Sequence, residues 1–206
     1  MIRFATAAAS YRATSEDRFV VLRTPAGWIM CVADGVSGTP GGGKAADRFV
    51  ECVRRVALQR DSDASDPIAW AMHLGDIDSE IARDPMAGET TGIALGIVGD
   101  RIAGASCGDS RAYLLSRHGP RELTSEQARK PRLGTGRARP CAFSVEARGV
   151  LVLGTDGLFD YADPNDMFEV VRVPSDNGAE ALVRLVRHRH RVLPDDVAVV
   201  VAWLGE

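Results

Sequence analysis

The chain has 206 residues, enough for one sizeable hydrophobic core, so we expect a single domain over residues 1–206. Hydrophobic residues make up 45% and charged residues 26%, which excludes a disordered or fibrous chain. The formal net charge is −3, so no overall positive field attracts nucleic acid or an anionic membrane, and we expect neither as a partner.

The predicted elements begin with two apolar strands, 18–24 and 28–33, which a Pro-Ala-Gly turn joins into a hairpin. Apolar residues at helical spacing predict a helix over 44–58, and Asp66 followed by Pro67 predicts a second helix that runs to Ile81. The remaining predicted elements are strands over 91–99, 101–115, 141–147 and 149–155, a helix over 179–192 and an edge strand over 195–204. Because strands and helices do not alternate, the order favours an α+β fold with mostly antiparallel sheets.

No stretch approaches the roughly 18 consecutive apolar residues of a membrane span, and the first residues lack the apolar core of a signal peptide. We therefore expect a cytoplasmic protein. The cysteines are widely spaced and form no CxxC pair; they are Cys31, Cys52, Cys107 and Cys141. This spacing predicts free thiols rather than a disulfide framework or a zinc site.

Aspartates stand where four of the predicted strands begin or end. They are Asp34, Asp109, Asp156 with Asp160, and Asp195 with Asp196. A single Asp-Gly pair is most often a turn, but turns alone do not explain four such positions. Carboxylate oxygens without His or Cys suit Mg²⁺ or Mn²⁺, and two such ions about 3.5–4 Å apart form a clamp for attack on phosphorus.

Six motifs in chain order carry a family resemblance. They are R-x-x-S-E-D at 12–17, VADGVSG at 32–38, GETTG at 88–92, CGDSRAYLL at 107–115, LGTDGLFD at 153–160 and DDVAVVV at 195–201. With them the chain resembles the metal-dependent protein serine/threonine phosphatases of the type 2C (PPM) family. The resemblance implies a four-layer α-β-β-α sandwich of two mostly antiparallel sheets flanked by helix pairs. It also implies hydrolysis of phosphoserine and phosphothreonine by a hydroxide that bridges two metal ions.

The resemblance assigns the metal ligands to motif positions. Asp34 would bridge two tightly bound Mn²⁺ or Mg²⁺ ions, and the backbone carbonyl of Gly35 would bind the second ion. Asp156 and Asp195 would complete the direct carboxylate ligands of the first. The residues implied for a weaker third ion are Asp109 and Asp160, together with Asp156.

The resemblance also assigns residues around the ions. Glu16 and Asp17 would act near the second ion through water or by orienting its ligands. Arg12 would grip the substrate phosphate, because a guanidinium pairs with two phosphate oxygens at once. The chain departs from the family at Ser15, where Asn or Met is usual, and at Val36, where animal members have a histidine that protonates the leaving group. A water or another acid must take that role here.

The segment at about 117–140 is short compared with the flap of bacterial members, and it is rich in basic residues. A basic segment beside a metal site would steer an anionic phosphopeptide, so we expect Arg129, Lys130 and Arg132 to contact substrate. The implied partners are a phosphoprotein substrate and an opposing Ser/Thr kinase.

Two other functions remain open from the sequence. The stretch GTPGGGK at 38–44 matches the spacing of a P-loop, although Ala45 stands where a Mg²⁺-binding hydroxyl is required. A catalytically weak domain of the phosphatase fold could instead act as a binding module. The presence of Asp34, Asp156 and Asp195 favours activity.

Overall fold

The computed structural model describes residues 2–38, 40–59, 63–190 and 193–205, and of residues 188–190 the backbone alone. The strands are β1 (Arg3–Ala9), β2 (Asp17–Arg23), β3 (Trp28–Asp34), β4 (Gly92–Val98), β5 (Arg101–Cys107), β6 (Arg111–Ser116), β7 (Gly119–Glu122), β8 (Cys141–Glu146), β9 (Val150–Gly154) and β10 (Val197–Trp203). The helices are α1 (Gly42–Leu58), α2 (Pro67–Arg83), α3 (Asp156–Phe159), α4 (Pro164–Val171) and α5 (Gly178–His190).

The strands form two five-stranded sheets in which every pair is antiparallel. The first sheet has the order β1-β10-β9-β6-β7 and the second the order β2-β3-β4-β5-β8. Helices α1 and α2 cover the second sheet through a core that includes Phe49 and Trp70. Helices α4 and α5 cover the first sheet through Met167 and Leu182. The predicted four-layer sandwich is confirmed.

A third apolar layer lies between the two sheets and explains the near-continuous apolar strands. In β10 the residues alternate between two cores: Val199 packs toward α4 and α5, and Val200 packs toward the second sheet. A strand covered on both faces needs apolar side chains at every position. The prediction of an edge strand here was wrong, because β10 lies between β1 and β9.

Local signals in the sequence account for the first half of the fold. The hairpin of β2 and β3 closes through hydrogen bonds between Thr24 and Gly27. Helix α2 begins after Asp66, whose carboxylate accepts from the backbone N–H of Ile68 at 2.8 Å, as expected of an N-cap. All four cysteines are free thiols, as predicted.

Four elements were not predicted from the sequence: β1, β7, α3 and α4. Strand β7 lies inside the short segment at 117–140 and pairs with β6 at the edge of the first sheet. The helix predicted over 179–192 is α5, and residues 191 and 192 lie outside the described residues. Within the described chain, each helix is too short or too polar to cross a membrane.

Candidate metal centre

Asp34 is the last residue of β3, and two threonines of the GETTG motif fix its backbone. The carbonyl oxygen of Asp34 accepts from the N–H of Thr91 and from the hydroxyl of Thr90, both at 2.8 Å. The N–H of Asp34 donates to the Thr91 hydroxyl oxygen at 3.2 Å. These bonds continue the β3–β4 pairing beyond the end of the strands and set the direction of the Asp34 side chain. The GETTG motif in the sequence did not indicate this role for the two threonines.

Three aspartates from different strand ends form a compact cluster. One carboxylate oxygen each of Asp34, Asp109 and Asp156 lies within 4.8 Å of the other two. Asp109 follows β5, and Asp156 opens α3 directly after β9. Asp109 Oδ1 is buried and has no hydrogen-bond partner among the described residues. Because unpaired buried oxygens are costly, this donor set of hard oxygens fits a divalent cation such as Mg²⁺ or Mn²⁺.

Asp17 adds a fourth carboxyl group beneath the cluster. It lies opposite Asp34 in the β2–β3 register, and the two carboxyl groups are hydrogen-bonded to each other. The Thr155 hydroxyl donates to Asp17 Oδ2 at 2.7 Å and accepts from the N–H of Ala198 at 3.0 Å. This chain of hydrogen bonds connects the two sheets under the site. Sequence analysis missed Thr155, which precedes the Asp-Gly pair of its motif.

Burial and crowding favour the protonated forms of three carboxyl groups of the site. Burial raises the pKa of Asp34, and the charges of Asp17 and Asp156 raise it further. Burial likewise raises the pKa of Asp17. For Asp156, burial followed by the charge of Asp109 raises the pKa to about 6. A bound divalent cation would replace these protons and relieve the repulsion.

Asp195 and Asp160 lie outside the three-carboxylate cluster. Asp195 is half-buried just before β10, and its Oδ1 accepts from the backbone N–H of Asp196 at 2.8 Å. Asp160 is paired with Arg111, whose Nη2 lies 2.6 Å from Asp160 Oδ1. Both carboxylates are near enough for their charges to contribute to the raised pKa of Asp156.

Glu16 and Gly35 join the site to the start of α1. The Glu16 carboxylate accepts from the Ser37 hydroxyl at 2.8 Å and from the Gly43 N–H at 3.3 Å. Its backbone carbonyl accepts from the N–H of Gly35 at 3.3 Å. A Cβ at Gly35 would lie 2.4 Å from the backbone of Gly42, so only glycine fits. Glu16 therefore contacts loop and helix rather than the carboxylate cluster.

Arg12 lies in segment 10–16, which joins β1 to β2 and is free of helix and strand. The side chain is exposed, and its guanidinium lies 5.1 Å from the centre of the Tyr11 ring. A hydrogen bond to Tyr11, followed by the charges of Glu16 and Asp195, raises the pKa of Arg12. The guanidinium therefore stands in the negative field of the site and is open to solvent.

The basic residues of segment 117–140 approach the cluster through Asp109. Arg132 Nη2 lies 3.2 Å from Asp109 Oδ2, and Arg129 Nε lies 3.5 Å from the same oxygen. Lys130 is exposed. An open polar pocket of about 110 Å³ lies beside them, between Asp109, Glu122 and Arg129. The segment therefore borders the candidate metal centre.

Asp78 anchors the far part of the same segment to α2. This buried carboxylate accepts backbone N–H groups from Gly134 at 2.7 Å, Gly136 at 3.0 Å and Ala138 at 2.9 Å. Sequence analysis missed Asp78, although it interrupts the apolar helical spacing of Leu74 and Ile81. A charged residue at a core position of a helix is the signal that could have identified it.

In the described part of the glycine-rich stretch, Gly41 and Gly42 pack tightly against neighbouring backbone and do not form an open phosphate cradle. Gly41 has φ +90°, and a Cβ there would lie 2.5 Å from the Met86 carbonyl oxygen. Lys44 Nζ pairs with Asp84 Oδ1 at 3.3 Å, and β3 before the stretch lies in an antiparallel sheet. The glycines let the start of α1 pack against a neighbouring loop, so the P-loop alternative is not supported.

The amino-acid sequence matches one family profile over most of its length. The profile of Stage II sporulation protein E (SpoIIE) matches residues 25–204. A sequence search of curated proteins finds no significant match.

Several solved phosphatase structures share the fold. The serine/threonine phosphatase Stp1 from Staphylococcus aureus has 18% identity and a TM-score of 0.85, with 100% of this chain and 95% of that chain covered. The catalytic domain of the phosphatase PstP, solved with two manganese ions, has 23% identity and a TM-score of 0.81, with coverage of 100% and 99%. The Mycobacterium tuberculosis phosphatase PstP/Ppp has 23% identity and a TM-score of 0.78, again with 100% and 99% covered.

Proposed function

The chain belongs to the SpoIIE family of PPM-type phosphatases, and from this premise we propose that it hydrolyses phosphoserine and phosphothreonine in a phosphoprotein, with two Mn²⁺ or Mg²⁺ ions as cofactors. The observation that carries the proposal is the cluster of Asp34, Asp109 and Asp156, whose carboxylate oxygens lie within 4.8 Å of one another. An opposing Ser/Thr kinase and a cytoplasmic location remain predictions from the sequence.

The carboxylates around the cluster would hold the ions. Asp34, Asp156 and Asp195 are the proposed direct carboxylate ligands, with the Gly35 carbonyl as a further one. When bound, two divalent ions would lower the pKa of a water molecule and withdraw charge from the phosphate. Asp34 suits this role because its backbone N–H and its carbonyl oxygen are both hydrogen-bonded to threonines, which limits how far its carboxylate can move.

Residues beneath and beside the ligands would orient them. Asp17, held by the Thr155 hydroxyl at 2.7 Å, lies opposite Asp34 in the β2–β3 register and would orient the ligands of the ions from there. Glu16 would act through water, since its carboxylate is engaged by Ser37 and Gly43.

A weaker third ion would use Asp109 and Asp160 together with Asp156. The unpartnered Oδ1 of Asp109 suits this role. Asp160 would serve through Oδ2, since its ion pair with Arg111 uses Oδ1.

Arg12 is the proposed substrate-binding residue. Its guanidinium is exposed, remains positively charged and lies near Asp195, where a phosphate monoester would meet it at the edge of the site. Arg129, Lys130 and Arg132 are the proposed contacts for the polypeptide part of the substrate, beside the polar pocket at Asp109. A charged segment there would raise the local concentration of an acidic phosphopeptide.

The deciding experiment is hydrolysis of p-nitrophenyl phosphate and a phosphothreonine peptide with Mn²⁺, with Mg²⁺ and with a chelator. We expect turnover with either ion and none with the chelator. Arg12→Ala should raise KM for the peptide with little change in kcat, because a phosphate contact acts in both ground and transition states. Arg23→Ala is the matched control, since Arg23 is also exposed and lies 5.0 Å from the centre of an aromatic ring, that of Trp28, at the other end of β2.

The same assay separates the enzyme from the binding module. Phosphopeptide binding without turnover at saturating Mn²⁺ would favour the catalytically weak module. An unchanged KM in Arg12→Ala would remove Arg12 from the phosphate site while leaving the metal assignment intact.

A further inference from the structure

Segment 10–16 makes the connection between the two sheets at the metal centre. It leaves β1 in the first sheet and enters β2 in the second, and it carries Arg12. Because it is free of helix and strand, no backbone ladder holds it in place. The position of the exposed Arg12 guanidinium therefore depends on whatever fixes this segment.

One buried carboxylate accepts hydrogen bonds from both ends of the segment. Asp196 Oδ1 accepts from the Ser10 hydroxyl at 2.8 Å and from the Tyr11 N–H at 2.9 Å. Asp196 Oδ2 accepts from the Glu16 N–H at 3.0 Å. The bonds reach both ends of the segment, so one side chain closes it into a loop.

Ser10 extends this contact to the backbone of Arg12. The Ser10 Oγ accepts from the Arg12 N–H at 3.0 Å and lies 2.9 Å from the Arg12 carbonyl oxygen. The serine has one hydroxyl proton, which serves either Asp196 or that carbonyl oxygen at a given moment. A continuous hydrogen-bonded path thus runs from Asp196 through Ser10 to the backbone that bears the guanidinium.

The two neighbouring aspartates before β10 have different surroundings. Asp196 is 8% exposed, and both of its oxygens accept from segment 10–16. Asp195 is half-buried and accepts only one described backbone N–H. The segment therefore engages both oxygens of Asp196, whereas among the described residues Asp195 accepts on Oδ1 alone.

We propose that Asp196 is a positioning residue for substrate binding: it holds segment 10–16 in the shape that presents Arg12 to the substrate phosphate. This inference rests on the proposed phosphatase function and adds to it a residue that acts through Arg12. It assigns the two aspartates of the DDVAVVV motif to separate tasks, Asp195 to a metal ion and Asp196 to the phosphate-binding segment.

The test compares Asp196→Ala with Asp196→Asn and Ser10→Ala. We expect Asp196→Ala to raise KM for the phosphopeptide and the inhibition constant of inorganic phosphate about tenfold, the factor that loss of charge-assisted hydrogen bonds typically gives. The number and affinity of bound Mn²⁺ ions should stay at the wild-type values. Asp196→Asn, which keeps one acceptor oxygen, should recover part of the loss. Ser10→Ala should show a smaller rise, because it breaks only the path to Arg12.

A double-mutant cycle distinguishes positioning from general structural damage. In the Arg12→Ala background, Asp196→Ala should raise KM little further, because both changes remove the same contact. Hydrogen exchange at the Tyr11 and Glu16 amides should accelerate in Asp196→Ala. Asp63→Ala is the matched control, since Asp63 accepts from Ser65 in a loop away from this segment and should alter none of these values.

Each outcome decides a separate point. Loss of a bound Mn²⁺ ion in Asp196→Ala would make Asp196 a metal ligand and overturn the inference, as would unchanged KM and phosphate inhibition. If Asp196→Ala does not fold, Ser10→Ala and Asp196→Asn provide the test. The inference is rejected if neither of these variants raises KM. If the wild type has no activity, the proposed function fails. Calorimetric phosphate binding and amide exchange then still test Asp196.

Discussion

Asp78 and Asp34 are both aspartates that the fold withdraws from water, yet their neighbours are opposite in kind. Asp78 is buried on α2 and accepts three backbone N–H groups at 2.7–3.0 Å. Asp34 is half-buried and faces other carboxyl groups, among them Asp17 and Asp156. The first arrangement stabilises the fold, because the charge is met by donors. The second destabilises the protein until a cation binds, as is common where groups are placed for function.

The comparison predicts the largest effect at the crowded carboxylates. Asp34→Asn, Asp156→Asn and Asp195→Asn should each lower kcat by about a thousandfold. Each variant takes a charged ligand away from the two metal ions that stabilise the transition state. The metal-free form of Asp34→Asn should be at least as stable as the wild type, since the amide removes a carboxyl group whose ionisation is opposed by burial and by the charges of Asp17 and Asp156. Steady-state kinetics at saturating Mn²⁺ and chemical unfolding in chelator measure the two effects. Near wild-type turnover in a folded variant would refute the assignment of that residue.

Asp78 should show the reverse pattern. Asp78→Ala should lower the free energy of unfolding by about 2–3 kcal/mol, because charge-assisted hydrogen bonds to three N–H groups are lost. Below its unfolding transition the variant should retain metal binding. Asp76→Ala, an exposed position on the same helix, is the control and should change stability by less than about 0.5 kcal/mol. Urea unfolding in chelator provides the measurement, and equal stabilities of the two variants would contradict the anchoring role.

The pH dependence of stability should report on the crowded carboxyl groups of the candidate metal centre. The pKa of Asp156 rises from its ordinary value of 3.8 to about 6 in the folded protein, so the folded state binds the proton more tightly than the unfolded state. Its stabilising contribution is complete below pH 3.8 and is lost as the pH rises toward 6. Asp17 and Asp34, whose pKa values are also raised, act in the same direction.

The crowded carboxyl groups should therefore lower the Tm of the metal-free protein as the pH increases from 3.8 toward 6, and the gain in Tm from Mn²⁺ should grow. Asp34→Asn removes one of these groups and should flatten the pH profile relative to the wild type. Parallel pH profiles of the metal-free wild type and Asp34→Asn would contradict the assignment of the cluster.

The smallest expected effect concerns the basic segment beside the cluster. Replacing Arg129, Lys130 and Arg132 by Ser should lower kcat/KM for an acidic phosphopeptide severalfold at low salt and less at high salt, because salt screens steering. Hydrolysis of p-nitrophenyl phosphate at saturating Mn²⁺ should change little. Saturation matters because Arg132→Ser removes a partner from Asp109.

The matched control for this variant replaces three exposed arginines elsewhere by Ser, which gives the same change in net charge. They are Arg83, Arg101 and Arg148. Equal losses on both substrates, or no dependence on salt, would reject substrate selection by this segment.

The sequence predicted elements whose signals are local. The β2–β3 hairpin, α1 and α2 follow from apolar periodicity, a turn and an N-cap. Helix α4 carries the same signal as α2, since Asp163 precedes Pro164 and accepts from the Asn165 N–H, and it could have been predicted. Strand β1 could not, because its run RFATAAA has few bulky side chains and its pairing partner β10 is distant in sequence.

The motifs located the acidic residues but not their separate tasks. The position of aspartates at the ends of predicted strands identified Asp34, Asp109 and Asp156, and the structure brings these three together. The contacts of Asp196 with segment 10–16 could not be predicted from the spacing of the motifs, because they join residues that are very far apart in the sequence. The pairing of Asp160 with Arg111 likewise depends on how β6 and α3 meet.

The pairing of β1 with β10 also determines when the first sheet can form during synthesis. Ala9 pairs with Val197, 188 positions later, and Arg3 pairs with Trp203, 200 positions later. At a synthesis rate of about 5–20 residues per second, β1 waits about 10–40 s for β10, its neighbour in the sheet. Asp195 and Asp196 are also made just before β10, so a nascent chain that has not reached them has neither the full ligand set nor a fixed segment 10–16. The small side chains of β1 suit this delay, because an unpaired strand with little apolar surface attracts few wrong partners.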